Sequence, residues 1–214
     1  MDRFGEEVLQ VITIIDYGLG NISAFVNTYK RLNVAVSVAK TSGDLMGATK
    51  LILPGVGAFD YAMLLLKQSG MHDAVNELVT RRKVPVLGVC VGMQMLASSS
   101  EEGYLPGLGW IPGRVRRFDV SLLPYSTHLP HMGWNDVKPL GSTSLFAHLE
   151  KDARFYFLHS YYFECEQRQN VLAQTIYGDS FTCAVNHENV YGVQFHPEKS
   201  HHFGAQLLKN FSDL

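Results

Sequence analysis

The sequence predicts an α/β fold: one domain built on a central, mostly parallel sheet, flanked by helices and carrying an antiparallel extension. Three observations carry that expectation. The 214 residues, 46% of them hydrophobic, suit one domain with a sizeable core. The first half alternates short apolar runs with helical periodicity, as expected of a parallel sheet covered on both faces. The second half turns to short β-branched and aromatic runs separated by turn residues, the signature of antiparallel strands.

Residues 11–16 read as a buried strand, and 21–32 as a helix with Ile22, Phe25, Val26 and Tyr29 near a 3.6-residue period. Strands are expected at 34–38, 51–53 and 84–89, and helices at 58–66 and 72–81. A further helix is expected to start over 92–97. Residues 110–136 are rich in aromatic residues, proline and β-branched residues. Strands follow at 154–158, 171–176, 181–185 and 190–195, broken by Tyr177-Gly178-Asp179 and His187-Glu188-Asn189. A helix over 203–211 closes the chain, and the domain is drawn as 11–214 behind an extension of residues 1–10.

Bulk composition excludes several function classes. A formal charge of -2 lacks the basic footprint of a general nucleic-acid binder. No apolar run approaches the roughly 20 residues that span a bilayer. The opening Met1-Asp2-Arg3-Phe4-Gly5-Glu6-Glu7 does not fit a secretory signal. Cys90, Cys165 and Cys183 form an odd, sparse set without a CxxC pair, which points to a reducing cytoplasm, not a disulfide framework, and offers no structural zinc spacing. No residue cluster implies a metal or an organic cofactor.

The most informative segment is Val86-Leu87-Gly88-Val89-Cys90-Val91-Gly92-Met93-Gln94. An apolar strand runs into Gly-x-Cys-x-Gly and then into a helix, the strand–turn–helix setting of a nucleophile elbow with sulfur in place of oxygen. Glycines at 88 and 92 make steric sense where strand and helix approach closely. The helix N-terminus favours the thiolate. A buried core cysteine is the plainer alternative for Cys90; Cys165 and Cys183 lack the setting and read as structural.

An apolar strand also delivers His196 in Tyr191-Gly192-Val193-Gln194-Phe195-His196-Pro197-Glu198. Pro197 stops the ladder, and Glu198 can hold one imidazole nitrogen while the other faces sulfur. His-x-Glu also occurs in zinc deaminases, but the Pro-Cys-x-x-Cys they require is missing. Leu53-Pro54-Gly55-Val56-Gly57-Ala58 is a glycine turn between strand and helix, able to aim N–H groups at a developing anion. Gly57 is the first choice of oxyanion donor and the N–H of Val91 the second, although an ordinary βα turn would look the same. Asp16-Tyr17-Gly18-Leu19-Gly20-Asn21 superficially resembles a dinucleotide loop, but Ser23 stands at the third glycine position.

Together the Pro54–Gly57 turn, the Cys90 elbow and His196-Pro197-Glu198 resemble the class I, triad-type glutamine amidotransferases, over almost the whole chain after the first ten residues. Asp16-Tyr17-Gly18-Leu19-Gly20-Asn21, His131-Met132-Gly133-Trp134-Asn135, His159-Ser160-Tyr161-Tyr162 and Gln194 to Ser200 look more specifically like the glutaminase subunits that serve histidine biosynthesis. The resemblance implies that Cys90, His196 and Glu198 form the triad and that glutamine is the substrate. It implies that Gln94 contacts glutamine and that the backbone of His159, Ser160 and Tyr161 recognises its amino-acid end. It further implies a heterodimer in which ammonia passes to a (β/α)8-barrel synthase subunit. That subunit makes imidazole glycerol phosphate and an aminoimidazole carboxamide ribotide. Asn21, Trp134, Asn135, Tyr156 and Lys199 fall in or beside segments that face this partner, and a peptide rotating at residues 55–57 is one route to partner-dependent activity. The tail Glu198-Lys199-Ser200-His201-His202-Phe203-Gly204 also resembles a side branch that supplies ammonia to surface-sugar biosynthesis. A cysteine peptidase, a γ-glutamyl hydrolase or a non-catalytic binding module are the other classes in play.

Overall fold

The computed structural model describes residues 11–122, 129–149 and 151–214. The extension at 1–10, and His128, lie outside them. Four strands, β1 (Ile12–Ile15), β2 (Val36–Ala39), β3 (Lys50–Gly55) and β4 (Val86–Cys90), alternate with helices α1 (Ile22–Arg31), α2 (Phe59–Gln68) and α3 (His72–Thr80). A single-turn helix, α4 (Val91–Gln94), follows β4 directly. Next come β5 (Ser99–Ser100), β6 (Gly113–Arg117), β7 (His131–Asp136), β8 (Lys138–Pro139), β9 (Arg154–His159) and β10 (Tyr161–Cys165). The last elements are β11 (Val171–Tyr177), β12 (Asp179–His187), β13 (Val190–Val193) and α5 (His201–Asp213).

The main sheet has eight strands in the order β2-β1-β3-β4-β13-β12-β11-β8. The five from β2 to β13 run parallel, and β12, β11 and β8 continue antiparallel, the architecture expected from the sequence. Strands β1, β3 and β4 are buried along their whole length, which is why they read as unbroken apolar runs instead of alternating ones. Asn21 caps α1 by accepting from the Ala24 N–H at 3.2 Å, while Lys30 and Arg31 occupy the last turn, where a cation suits the helix dipole. Smaller sheets pair β10 with β6 and β5, and β7 with β9.

Strands β5 to β8 lie where the sequence marks no strand, and two further elements differ from expectation. The helix after Cys90 is one turn, not a helix carrying through to residue 97, because a loop takes its carbonyls: Leu108 N–H binds Met95 O, Ile111 N–H binds Leu96 O and Gly109 N–H binds Ala97 O. The dipole available to the sulfur is correspondingly short. The segment 161–165 is a strand, β10, held across residues that give little alternation: Tyr161, Tyr162, Glu164 and Cys165 are all half-buried.

Candidate active site

Cys90 ends β4 with φ 56° and ψ -113°, a strained conformation for a residue with a side chain. The neighbouring backbone leaves no room for substituents. A Cβ on Gly92 would lie 2.0 Å from Leu53 O, and one on Gly88 would lie 2.6 Å from Gly92 O. The register Gly55↔Cys90 brings the glycine turn after β3 against the nucleophile. Gly57, further along that turn, adopts φ +86° with open space around it.

His196 lies just beyond β13 and is tied to β9: its backbone N–H donates to Tyr156 O at 2.9 Å, an isolated antiparallel bridge. Its Nδ1 lies 2.8 Å from Glu198 Oε1, and both side chains are almost fully buried. Burial alone pushes the imidazole pKa down, but hydrogen bonds to Cys90 and Glu198 on the ring outweigh it and raise the pKa to about 10. Chemically, the arrangement offers a thiol and an imidazole on one cleft, with a carboxylate held on the imidazole. Burial instead raises the pKa of Cys165 to about 12 and pushes the Cys183 thiol higher still, so both remain thiols. Among the described residues no group of three or more His, Cys, Asp or Glu side chains could hold a metal ion. No helix among them is long and apolar enough to cross a membrane.

A cleft of about 280 Å³ opens over Cys90. It gathers Gly57, Val91, Gln94, His159, Ser160, Tyr161 and His196 from four separate stretches of chain, with Lys199 also on its lining. Glu198 stands behind His196. Asn21 is exposed as the cap of α1. Trp134 is 40% exposed and stacks on His201 at 5.2 Å; Lys199 Nζ lies 5.8 Å from the Tyr156 ring centre. Asn135, half-buried, donates from its amide to Ile176 O at 2.8 Å.

Two residues of the site escape a sequence reading. Gln194 donates from Nε2 to Cys90 Sγ at 3.8 Å and accepts on Oε1 from Gln94 Nε2 at 3.1 Å. Its place in the apolar run before His196 hides it. Glu102 lines the cleft and accepts the Phe59 N–H at 2.8 Å; burial, only partly offset by that bond, raises its pKa. Nothing local in Glu101-Glu102-Gly103 signals a site acid.

Residues 13–213 match the family model for class I glutamine amidotransferases. The chain belongs to that family. It is 63% identical over 204 residues to the imidazole glycerol phosphate synthase subunit HisH of Bdellovibrio bacteriovorus, covering 95% of this chain and all of that one. The subunit of the same name from Leptospira borgpetersenii is 53% identical over the same share of each chain. Among solved structures, one described as a glutamine amidotransferase superposes with a TM-score of 0.72 at 21% identity, over 94% of this chain and 97% of that one. PurLQS from Thermotoga maritima gives 0.71 at 16%, over 95% and 97%. The strand–elbow–helix at Cys90 lies inside the matched span.

The coupling of His196 to Glu198 gives a pH signature. A histidine whose pKa rises from 6.5 to about 10 on folding contributes stability in full below pH 6.5 and loses it as pH climbs through the folded value. Glu198→Gln removes one cause of the shift. The gap in melting temperature between wild type and Glu198→Gln is therefore expected to be widest near pH 6 and to narrow toward pH 10, as thermal melts over that range will read. A gap that widens with pH would contradict the assignment of His196 as the raised group.

Proposed function

We propose that the chain is the glutamine-hydrolysing subunit of an imidazole glycerol phosphate synthase of histidine biosynthesis, with Cys90, His196 and Glu198 as its triad. The observation that carries this reading is the buried His196, held at 2.8 Å by Glu198 on one nitrogen and sharing the cleft with Cys90.

The chemistry follows from these positions. The Cys90 thiol gives its proton to His196, and the sulfur attacks the side-chain carboxamide carbon of glutamine. The carbon–oxygen π pair moves onto oxygen, where the N–H groups of Val91 and Gly57 receive it. Collapse breaks the carbon–nitrogen bond as His196 returns its proton to nitrogen, so ammonia leaves and a γ-glutamyl thioester remains. His196 then deprotonates a water, which releases glutamate and restores the thiol. Both Nε2 hydrogens of Gln94 are spent, on Tyr161 O and on Gln194 Oε1. Its oxygen is left as an acceptor, and the Glu102 carboxylate lines the same cleft. Together they suit the α-ammonium of an amino acid.

The ammonia passes to a (β/α)8-barrel synthase subunit in a heterodimer, docked on the face that carries Asn21, Trp134, Asn135, Tyr156 and Lys199. The reading also places the protein in the cytoplasm, in keeping with three cysteines that all stay free. It treats residues 11–214 as one amidotransferase domain behind the 1–10 extension, in keeping with the span of the family match.

Glutamate release is measured with and without a candidate barrel subunit and its nucleotide ligand. Strong stimulation by the histidine-pathway barrel is the expected result. Turnover only with a sugar-modifying partner would keep the triad and move the chain to the side branch; cleavage of peptides in place of glutamine would overturn the reading.

A further inference from the structure

Two buried histidines take no part in the chemistry above. His131 and His159 face each other across the β7–β9 pair, with 4% and 6% exposure. Burial drops their pKa values to about 4 and about 3, the neighbouring histidine adding to the fall at His159. Both are therefore neutral near neutral pH, and each has one N–H and one acceptor nitrogen.

Their surroundings determine which nitrogen carries the proton. His159 Nδ1 lies 2.7 Å from Tyr161 O, a carbonyl that can only accept, so Nδ1 is the donor. Nε2 must then accept from His131 Nδ1 at 3.0 Å. His131 Nε2 accepts in turn from Asn135 Nδ2 at 3.3 Å, and the second hydrogen of that amide goes to Ile176 O at 2.8 Å. The chain runs one way only, from Asn135 through His131 and His159 to Tyr161 O. At that carbonyl it meets Gln94, whose Nε2 donates to the same oxygen at 3.1 Å. The His131 ring is clamped between Tyr177 at 4.1 Å and Phe157 at 4.8 Å, both nearly parallel to it.

Such a line of polar groups is costly inside an aromatic core unless fully bonded. An apolar pair would fill the same space without that cost. What the polar pair adds is a bond that fixes the His159-Ser160-Tyr161 turn, and that turn lines the cleft beside Gln94. We propose that His131 and His159 are positioning residues for substrate recognition: they form a strut from β7 that holds the 159–161 turn, and with it Gln94, in the shape that receives the amino-acid end of glutamine. This rests on the reading of the cleft as a glutaminase site.

The test is steady-state kinetics of glutamine hydrolysis on the full chain with its synthase partner, with a thermal melt for each variant. His131→Phe keeps an aromatic ring between Phe157 and Tyr177 but cannot donate to His159. Loss of one buried hydrogen bond from the strut is expected to raise KM for glutamine about tenfold, with kcat moving less. His159→Asn and His159→Gln are compared directly. Asparagine places an amide N–H near the position of Nδ1 and can still reach Tyr161 O; glutamine places it near Nε2 and cannot. KM is expected to be about tenfold higher for His159→Gln than for His159→Asn. A folded His131→Phe with KM within about twofold of wild type, or equal KM values for the two His159 variants, overturns the strut while leaving the glutaminase reading intact. A wild-type complex that does not turn over glutamine overturns both.

Discussion

Cys90→Ser is expected to abolish glutamine turnover, lowering kcat by about ten-thousand-fold or more while the protein stays folded. The argument is chemical. At neutral pH a hydroxyl keeps its proton far more tightly than a thiol, so far less of it is in the reactive anionic form. Cys90 is itself among the causes that raise the His196 pKa, so the exchange also removes the sulfur partner that favours the charged imidazole. Serine is also shorter, so the bond to His196 and the 3.8 Å contact from Gln194 both lengthen. The packing around residue 90 tolerates the exchange, since it removes volume and adds none. Because the side chain is buried, affinity for a docked partner is expected to be almost unchanged. Glutamate release and a binding isotherm on the same preparation check both halves. Residual turnover above about one part in a hundred would mean that another group attacks the amide.

What the sequence made legible was local. The Gly88-x-Cys90-x-Gly92 elbow can be read because Gly88 answers to nearby α4, where a Cβ would strike Gly92 O; the contact of Gly92 with Leu53 on β3 is remote in the chain. His196 and Glu198 can be read because Pro197 sets the backbone between them, and the parallel strands because burial on both faces removes alternation. What could not be read depends on pairing between distant segments. The shortness of α4 follows from carbonyls captured by residues 108, 109 and 111. Glu102 enters the cleft through its bond to Phe59, and Gln194 meets Cys90 only because β13 lies beside β4. The His131–His159 pair exists only in the register of β7 against β9; in the sequence each is one histidine among nine.

Gly92→Ala is expected to destabilise the fold by about 3 kcal/mol or more, enough to leave a large part of a marginal domain unfolded at physiological temperature. The added methyl would stand 2.0 Å from Leu53 O and 2.9 Å from Leu53 C, both backbone atoms of a central buried strand. No side chain can swing away to relieve that contact. Relief requires α4 to lift off β3 or β3 to slide against β4, and the register Leu53↔Gly88 and Gly55↔Cys90 is what aligns the glycine turn with the nucleophile. Any surviving folded fraction should therefore be poorly active as well as unstable. Gly57→Ala separates the two effects. Nothing lies within 4 Å of the position its Cβ would take, but φ is +86°, so the cost is about 1 kcal/mol of backbone strain, local to the turn. Its urea midpoint should stay near that of wild type while glutamate release falls. A Gly92→Ala protein with a wild-type urea midpoint would show that β3 and α4 are not in contact as described. A fully active Gly57→Ala protein would remove that turn from the oxyanion site.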